Sequence, residues 1–118
     1  VADDPVMHSS QNEQDSRHHA IASKVPMLEP SSSQECKDYA MLAFELSEKY
    51  DTPIILRLST RVSHSQSLVE LEERDQREKK EYVKDPGKYV MMPAMAKARH
   101  TFVEQRLNTA AQWAESTS

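Results

Sequence analysis

Between Ser32 and Tyr50 the apolar and small side chains return every three or four residues, with Cys36, Tyr39, Ala40, Ala43, Leu46, Ser47 and Tyr50 forming one stripe. That period predicts an α-helix with one face on a sheet. Ser32, with Glu35 three positions on, supplies a capping box at its start, and Asp51-Thr52-Pro53 ends it. On either side the pattern changes to short apolar runs, residues 25–28 and 54–58, the form of strands buried in a parallel sheet. Residues 13–23 read as an earlier helix, with Ala20 and Ile21 among polar neighbours and Lys24 near its C-terminal end, where a cation suits the macrodipole. The order helix, strand, helix, strand predicts a parallel α/β layer with right-handed crossovers.

Beyond Ser63 the pattern breaks down, and charges crowd into residues 70–81, which read as a linker or a solvated helix. Lys84-Asp85-Pro86-Gly87-Lys88 fits a type II turn, with Pro and Gly at its central positions. Residues 89–92 suit a short extended piece, and Pro93 opens a helix reaching about Ser116. Met95, Ala98, Phe102, Leu107, Ala110, Trp113 and Ala114 form its apolar side. The division expected is residues 1–65 as an α/β part, 66–92 as a charged linker and 93–118 as a C-terminal helix.

Composition narrows the choice of function. A net charge of −4 on 118 residues gives no electrostatic reason for nucleic acid or an anionic membrane surface. No run approaches the roughly 18 apolar residues of a spanning helix, and no signal-like start is present, so a soluble, unexported protein is expected. The single cysteine, Cys36, forms no internal disulfide and no multi-thiolate metal or iron–sulfur site, and reads as a small buried apolar group. A single glycine, Gly87, builds no phosphate-cradling loop and leaves no Gly-Asp-Gly motif.

The densest chemistry lies in Asp3-Asp4-Pro5-Val6-Met7-His8-Ser9-Ser10-Gln11-Asn12-Glu13-Gln14-Asp15-Ser16-Arg17. If Val1 and Ala2 end a strand, this segment lies at the carboxyl end of a parallel sheet, where ligands bind. It then begins a helix whose free N–H groups face the cleft. The alternative is a helix cap and first turn exposed to water. His18 and His19 are adjacent, so they project differently from a helix and read as surface residues. Arg61, Ser63 and His64 follow the second apolar run, either as cleft residues or as a polar exit loop. Tyr39, Met41, Phe44 and Tyr50 read as packing.

The order of residues in this loop resembles the alpha subunits of the indolepyruvate ferredoxin oxidoreductase family. The resemblance continues through Val25-Pro26-Met27-Leu28-Glu29-Pro30-Ser31, Ala43-Phe44-Glu45-Leu46-Ser47-Glu48-Lys49 and Thr52-Pro53-Ile54-Ile55-Leu56-Arg57, ending at Thr60-Arg61-Val62-Ser63-His64-Ser65. About half the chain thus looks like the later part of a thiamine pyrimidine-binding domain. The implied fold is α/β, a partial parallel sheet of that domain followed by the charged linker and the C-terminal helix.

The implied activity is oxidative decarboxylation of aryl 2-oxo acids to aryl-acetyl-coenzyme A, with ferredoxin accepting electrons. The implied cofactors are thiamine diphosphate and magnesium, with iron–sulfur clusters elsewhere in the subunit. The implied partners are the remainder of the alpha subunit, a beta subunit, ferredoxin, an aryl 2-oxo acid and coenzyme A, in the cytoplasm. His8, Ser9, Ser10, Gln11, Glu13, Gln14, Asp15 and Arg17 carry over as cleft-lining candidates, and Arg61 and His64 as weaker ones, without individual catalytic roles. The family's pyrimidine-activating glutamate precedes this region and is not sought at Glu13.

Val6 stands where the family has glycine, which raises the question of a positive φ there. Because Val1 and Ala2 run straight into the loop, the chain reads as a fragment that is inactive alone. Its sheet edge and the apolar Leu28, Ile54, Ile55 and Leu56 then favour self-association. The reading from a different class is a non-catalytic α/β or helical interaction module docking through its last helix.

Overall fold

The computed structural model describes residues 1–6, 12–74, 76 and 78–117. Contacts divide the chain into two compact units, Val1–Glu70 and Leu71–Ser118.

In the first unit the elements run α1 (Ser16–Ser23), β1 (Met27–Leu28), α2 (Ser33–Tyr50), β2 (Ile55–Leu56) and α3 (Thr60–Ser63). β1 and β2 pair in parallel, with Met27 opposite Ile55 and Leu28 opposite Leu56. On its other side β2 meets the first residues of the chain: Leu58 bridges Ala2 in parallel, with Leu58 N donating to Val1 O at 2.8 Å and Asp3 N to Leu58 O at 3.1 Å. β2 is therefore flanked in parallel by both neighbours, and Asp3, Glu29 and Arg57 follow the three extended segments on one edge. The expected α/β layer is present, with strands shorter than the apolar runs suggested.

Local chemistry explains the helix ends. The Ser32 hydroxyl accepts from Glu35 N at 3.2 Å, and the Glu35 carboxylate accepts from Ser31 N at 2.7 Å and the Ser31 hydroxyl at 2.9 Å. The capping box thus forms with its return bond displaced one residue upstream, and those Ser31 bonds hold the Glu35 carboxyl below its ordinary range. Asp15 caps α1, which begins at Ser16 rather than Glu13. Lys24 and Asp51 end α1 and α2 in the left-handed region, at φ 55° and 51°, which satisfies the last helical carbonyls.

Leu46 is the buried anchor of the α2 stripe, and Ala20, Pro30 and Val62 are buried with it among the described residues. Cys36, Tyr39 and Tyr50 are half-buried, as are Leu28, Ile54, Ile55 and Leu56. Phe44 and Met41 are corrections to the packing expected of them, since both project to solvent, Phe44 being 74% exposed. They lie off the stripe, and their apolar character alone misplaced them.

The second unit contains α4 (Pro86–Tyr89) and α5 (Pro93–Thr117). The type II turn expected at residues 84–88 is replaced by α4, because the Asp85 carboxylate accepts from Lys88 N at 3.2 Å and caps a helical turn, and Gly87 has no positive φ. Only Val90 to Met92 of the extended piece remain outside helices, Tyr89 being taken into α4. The described residues between 64 and 85 form no helix beyond the cap at His64. α5 starts at Pro93 as expected, but no residue of it is fully buried.

Val6 is not among the residues with positive φ, so the glycine of the family pattern is not required by this backbone. Two substitutions therefore carry opposite signs. Lys24→Gly should raise stability by about 0.5–1 kcal/mol by relieving the left-handed backbone, whereas Val6→Gly should lower it by a similar amount through unfolded-state entropy. Paired denaturant melts read both, and stabilisation by Val6→Gly would contradict the φ assignment.

Candidate functional site

An arginine in an otherwise apolar strand needs counter-charges where it lies. Arg57 directly follows β2, its N–H donates to Leu28 O at 2.9 Å, and its side chain is 1% exposed. Its Nε contacts Asp3 Oδ1 at 2.5 Å and its Nη1 contacts Glu29 Oε1 at 2.5 Å. Its Nη2 lies 3.4 Å from Asp3 O and 4.0 Å from Asp15 Oδ1. One planar fork thereby joins the carboxyl ends of all three extended segments to the cap of α1.

The surrounding groups extend this network. Asp3 Oδ2 accepts from Ser16 N at 2.5 Å. Asp15 Oδ1 accepts from both Arg17 N and Arg17 Nε at 3.0 Å, and Arg17 Nε lies 3.9 Å from Glu29 Oε2. Beside them the Asp4 carboxylate accepts from Thr60 N at 3.1 Å and from the Thr60 hydroxyl, while Asp4 O accepts from Gln14 N at 3.1 Å. Burial by itself would push the Asp3 carboxyl up, but the Ser16 hydrogen bonds and the Arg57 guanidinium outweigh it, and the net shift is downward. The Arg17 N–H holds Asp15 below its ordinary value in the same way.

The candidates from sequence divide clearly. His8, Ser9, Ser10 and Gln11 lie outside the described residues. Glu13, Gln14 and Arg17 are exposed beside the network, and Asp15 is its helix cap. Arg61 is exposed within α3 and His64 caps that helix. His18 and His19 are exposed on α1. Sequence reasoning missed Asp3, Glu29 and Arg57 as a unit, and Asp4 with Thr60. The available signal was a lone cation in the run Ile54–Leu58, with acids immediately after the other two extended segments.

Among the described residues no group of three or more His, Cys, Asp or Glu side chains could hold a metal ion. The carboxylates nearest the strand ends are occupied by Arg57, Arg17, Ser16 and Thr60. The donor set suits hydrogen bonding to an organic group, not coordination of a diphosphate-bound cation. No helix among the described residues is long and apolar enough to cross a membrane.

Residues 5–115 match the family described as pyruvate flavodoxin/ferredoxin oxidoreductase, thiamine diphosphate-binding, so the likeness runs through α5, well past Ser65. The indolepyruvate oxidoreductase subunit IorA of Archaeoglobus fulgidus is 48% identical over 109 residues, 91% of this chain and 18% of that protein. The subunit of the same name from Methanothermobacter thermautotrophicus is 50% identical over 102 residues, 85% of this chain and 16% of that protein. The 2-oxoglutarate synthase subunit KorA of Methanothermobacter marburgensis is 31% identical over 64 residues, 53% of this chain and 17% of that protein. The chain thus spans less than a fifth of the length of these relatives. No solved structure matches it.

Because the folded pKa of Asp3 is depressed, its stabilising contribution is present above the ordinary value of 3.8 and is lost as pH falls through the lower folded value. Asp3→Asn leaves Arg57 short of a buried counter-charge and should cost about 3 kcal/mol or more at neutral pH. The deficit should shrink at strongly acidic pH, as pH falls through the lowered folded value and the native carboxylate is itself protonated. Denaturant melts at both pH values measure this, and an equal deficit at both would show that the Asp3 charge is not the stabilising element.

Proposed function

The chain belongs to the thiamine diphosphate-binding family of pyruvate flavodoxin/ferredoxin oxidoreductases, and from that membership we propose that it forms the pyrimidine-side wall of a cofactor cleft in an indolepyruvate oxidoreductase. The whole enzyme would oxidatively decarboxylate aryl 2-oxo acids to aryl-acetyl-coenzyme A, with ferredoxin as electron acceptor and a beta subunit as partner. The observation that carries the reading is the buried fork of Arg57, which ties three strand ends and the start of α1 into one rigid edge. An edge fixed in that way suits a ligand-binding face at the carboxyl ends of parallel strands.

Thiamine diphosphate supplies the nucleophilic carbon that makes loss of carbon dioxide from a 2-oxo acid accessible. This chain's part is to bind and orient. Glu13, Gln14 and Arg17 offer hydrogen-bonding groups beside the edge, and His8, Ser9, Ser10 and Gln11 remain candidates by their family resemblance alone. Arg61 and His64 offer them from α3. The single glycine and the occupied carboxylates favour a division in which magnesium and the glycine-rich cradle of the diphosphate, like the iron–sulfur clusters, belong to other parts of the assembly.

Two measurements test this reading. The assembled oxidoreductase should reduce ferredoxin with indolepyruvate and coenzyme A, and faster than with 2-oxoglutarate. The 118-residue chain alone should show neither that activity nor micromolar binding of thiamine diphosphate with magnesium by calorimetric titration. Tight binding by the chain alone would overturn the division of labour proposed.

A further inference from the structure

Two adjacent aspartates hold the neck of the polar loop. Asp3 Oδ2 accepts from Ser16 N, and Asp4 O accepts from Gln14 N at 3.1 Å. The chain therefore leaves this point after Asp4 and is back beside it by Gln14. The Asp4 side chain is committed elsewhere, since its two carboxylate oxygens accept from the backbone N–H and the hydroxyl of Thr60. Thr60 is the first residue of α3, and Arg61 follows it.

A helix of four residues has too few internal bonds to fix its own direction. α3 is held at its start by the Ser59 hydroxyl, which accepts from Val62 N at 3.3 Å, by burial of Val62, and by Asp4. Of these, only Asp4 also belongs to the loop neck. Val1–Glu70 contains three arginines, and Arg17 and Arg57 are both engaged by carboxylates. Arg61 is exposed and makes no ion pair among the described residues. An open guanidinium on a latched turn, at the same edge as the strand ends, suits recognition of an anion.

We propose that Asp4 is a positioning residue, which latches α3 to the loop neck and so presents Arg61 to an anionic group of the ligand bound at the strand ends. That group is a carboxylate or a phosphate. The inference rests on the cofactor-cleft reading above, and it adds a residue that acts without touching the ligand.

The test uses the assembled oxidoreductase carrying Asp4→Ala, Asp4→Asn or Thr60→Val. Asparagine keeps both bonds to Thr60, its carbonyl accepting from the N–H and its amide donating to the hydroxyl, so it separates the latch from the charge. In Asp4→Ala, amide exchange at Thr60 should accelerate by about tenfold or more, while exchange at Arg57, whose N–H is bonded to Leu28, stays unchanged.

With Asp4→Ala, either the KM for indolepyruvate or the dissociation constant for thiamine diphosphate should rise by about tenfold, with kcat at saturation altered by less than about threefold. A rise in the first identifies the anion as the substrate carboxylate, and a rise in the second as the cofactor phosphate. Asp4→Asn should recover most of the loss, and Thr60→Val should fall between, which keeps the test valid if Asp4→Ala does not fold. Unchanged ligand constants despite faster exchange, or an Asp4→Asn variant as impaired as Asp4→Ala, would overturn the proposal. A wild-type assembly that binds no thiamine diphosphate would instead sink the functional reading, leaving amide exchange to judge the latch.

Discussion

The first unit of this protein is organised around a guanidinium that cannot be buried alone. Arg57 sits at 1% exposure in a strand whose neighbours are isoleucine and leucine, and the cost of stripping water from it is offset only if carboxylates lie within reach. Asp3 and Glu29 meet that requirement from opposite sides of β2. Parallel pairing places both at the same edge, so register and charge pairing constrain each other. A slip of one residue in either neighbour would carry its carboxylate away from the fork. Among the described residues the core is small, with Ala20, Leu46 and Val62 as its buried aliphatic side chains. The ionic junction therefore specifies geometry that apolar packing alone would leave loose.

What was legible in the sequence was local. Ser32 with Glu35, the stop at Asp51-Thr52-Pro53 and the start at Pro93 each depend on residues within one or two turns, and each lies where its chemistry demands. The alternation of helical and extended runs likewise predicted the parallel layer. The misses came from two other kinds of interaction. Asp3 and Arg57 are 54 residues apart and Glu29 and Arg57 are 28 apart, and no periodicity connects such partners. At Asp85 a competing local option prevailed, its carboxylate capping a helical turn in place of the turn that Pro86-Gly87 suggested. For the candidate site, the sequence marked the polar segment after Ala2 but not the junction of Asp3, Glu29 and Arg57 beside it.

The second unit follows different physics. α5 has 25 residues and none fully buried, with Met95 and Phe102 38% and 55% exposed. Such a helix is supported mainly by its own hydrogen bonds and by length, since propagation is favourable once the first turn is paid for in lost chain freedom. Tyr82 and Tyr89 stack with centroids 5.9 Å apart, and Arg99 lies 4.9 Å from the Phe102 ring centre. These contacts tie short stretches together without creating a core. The family match covers this unit as well as the first, so its composition is part of what the chain shares with its relatives and not an unrelated tail.

The division of charge within the first unit bears directly on what its edge can bind. Three carboxylates, Asp3, Asp15 and Glu29, surround the guanidinium groups of Arg57 and Arg17, so the junction satisfies its own cations and offers no strong attraction to an anion. An anionic group at this edge would call for a cation outside the junction, and Arg61 is the exposed arginine of this unit that makes no ion pair among the described residues. The junction and the recognition element proposed above are then separate: one has its cations paired around the buried Arg57, the other is open and exposed. That separation has a mechanical consequence, because an open arginine on a four-residue helix is only as well aimed as the groups that hold the helix. Asp4 lies between the two, adjacent in sequence to the buried Asp3 and bonded through its side chain to Thr60. Two neighbouring aspartates thereby join the buried arginine to the turn that carries the open one, which is the path by which the proposed latch would act.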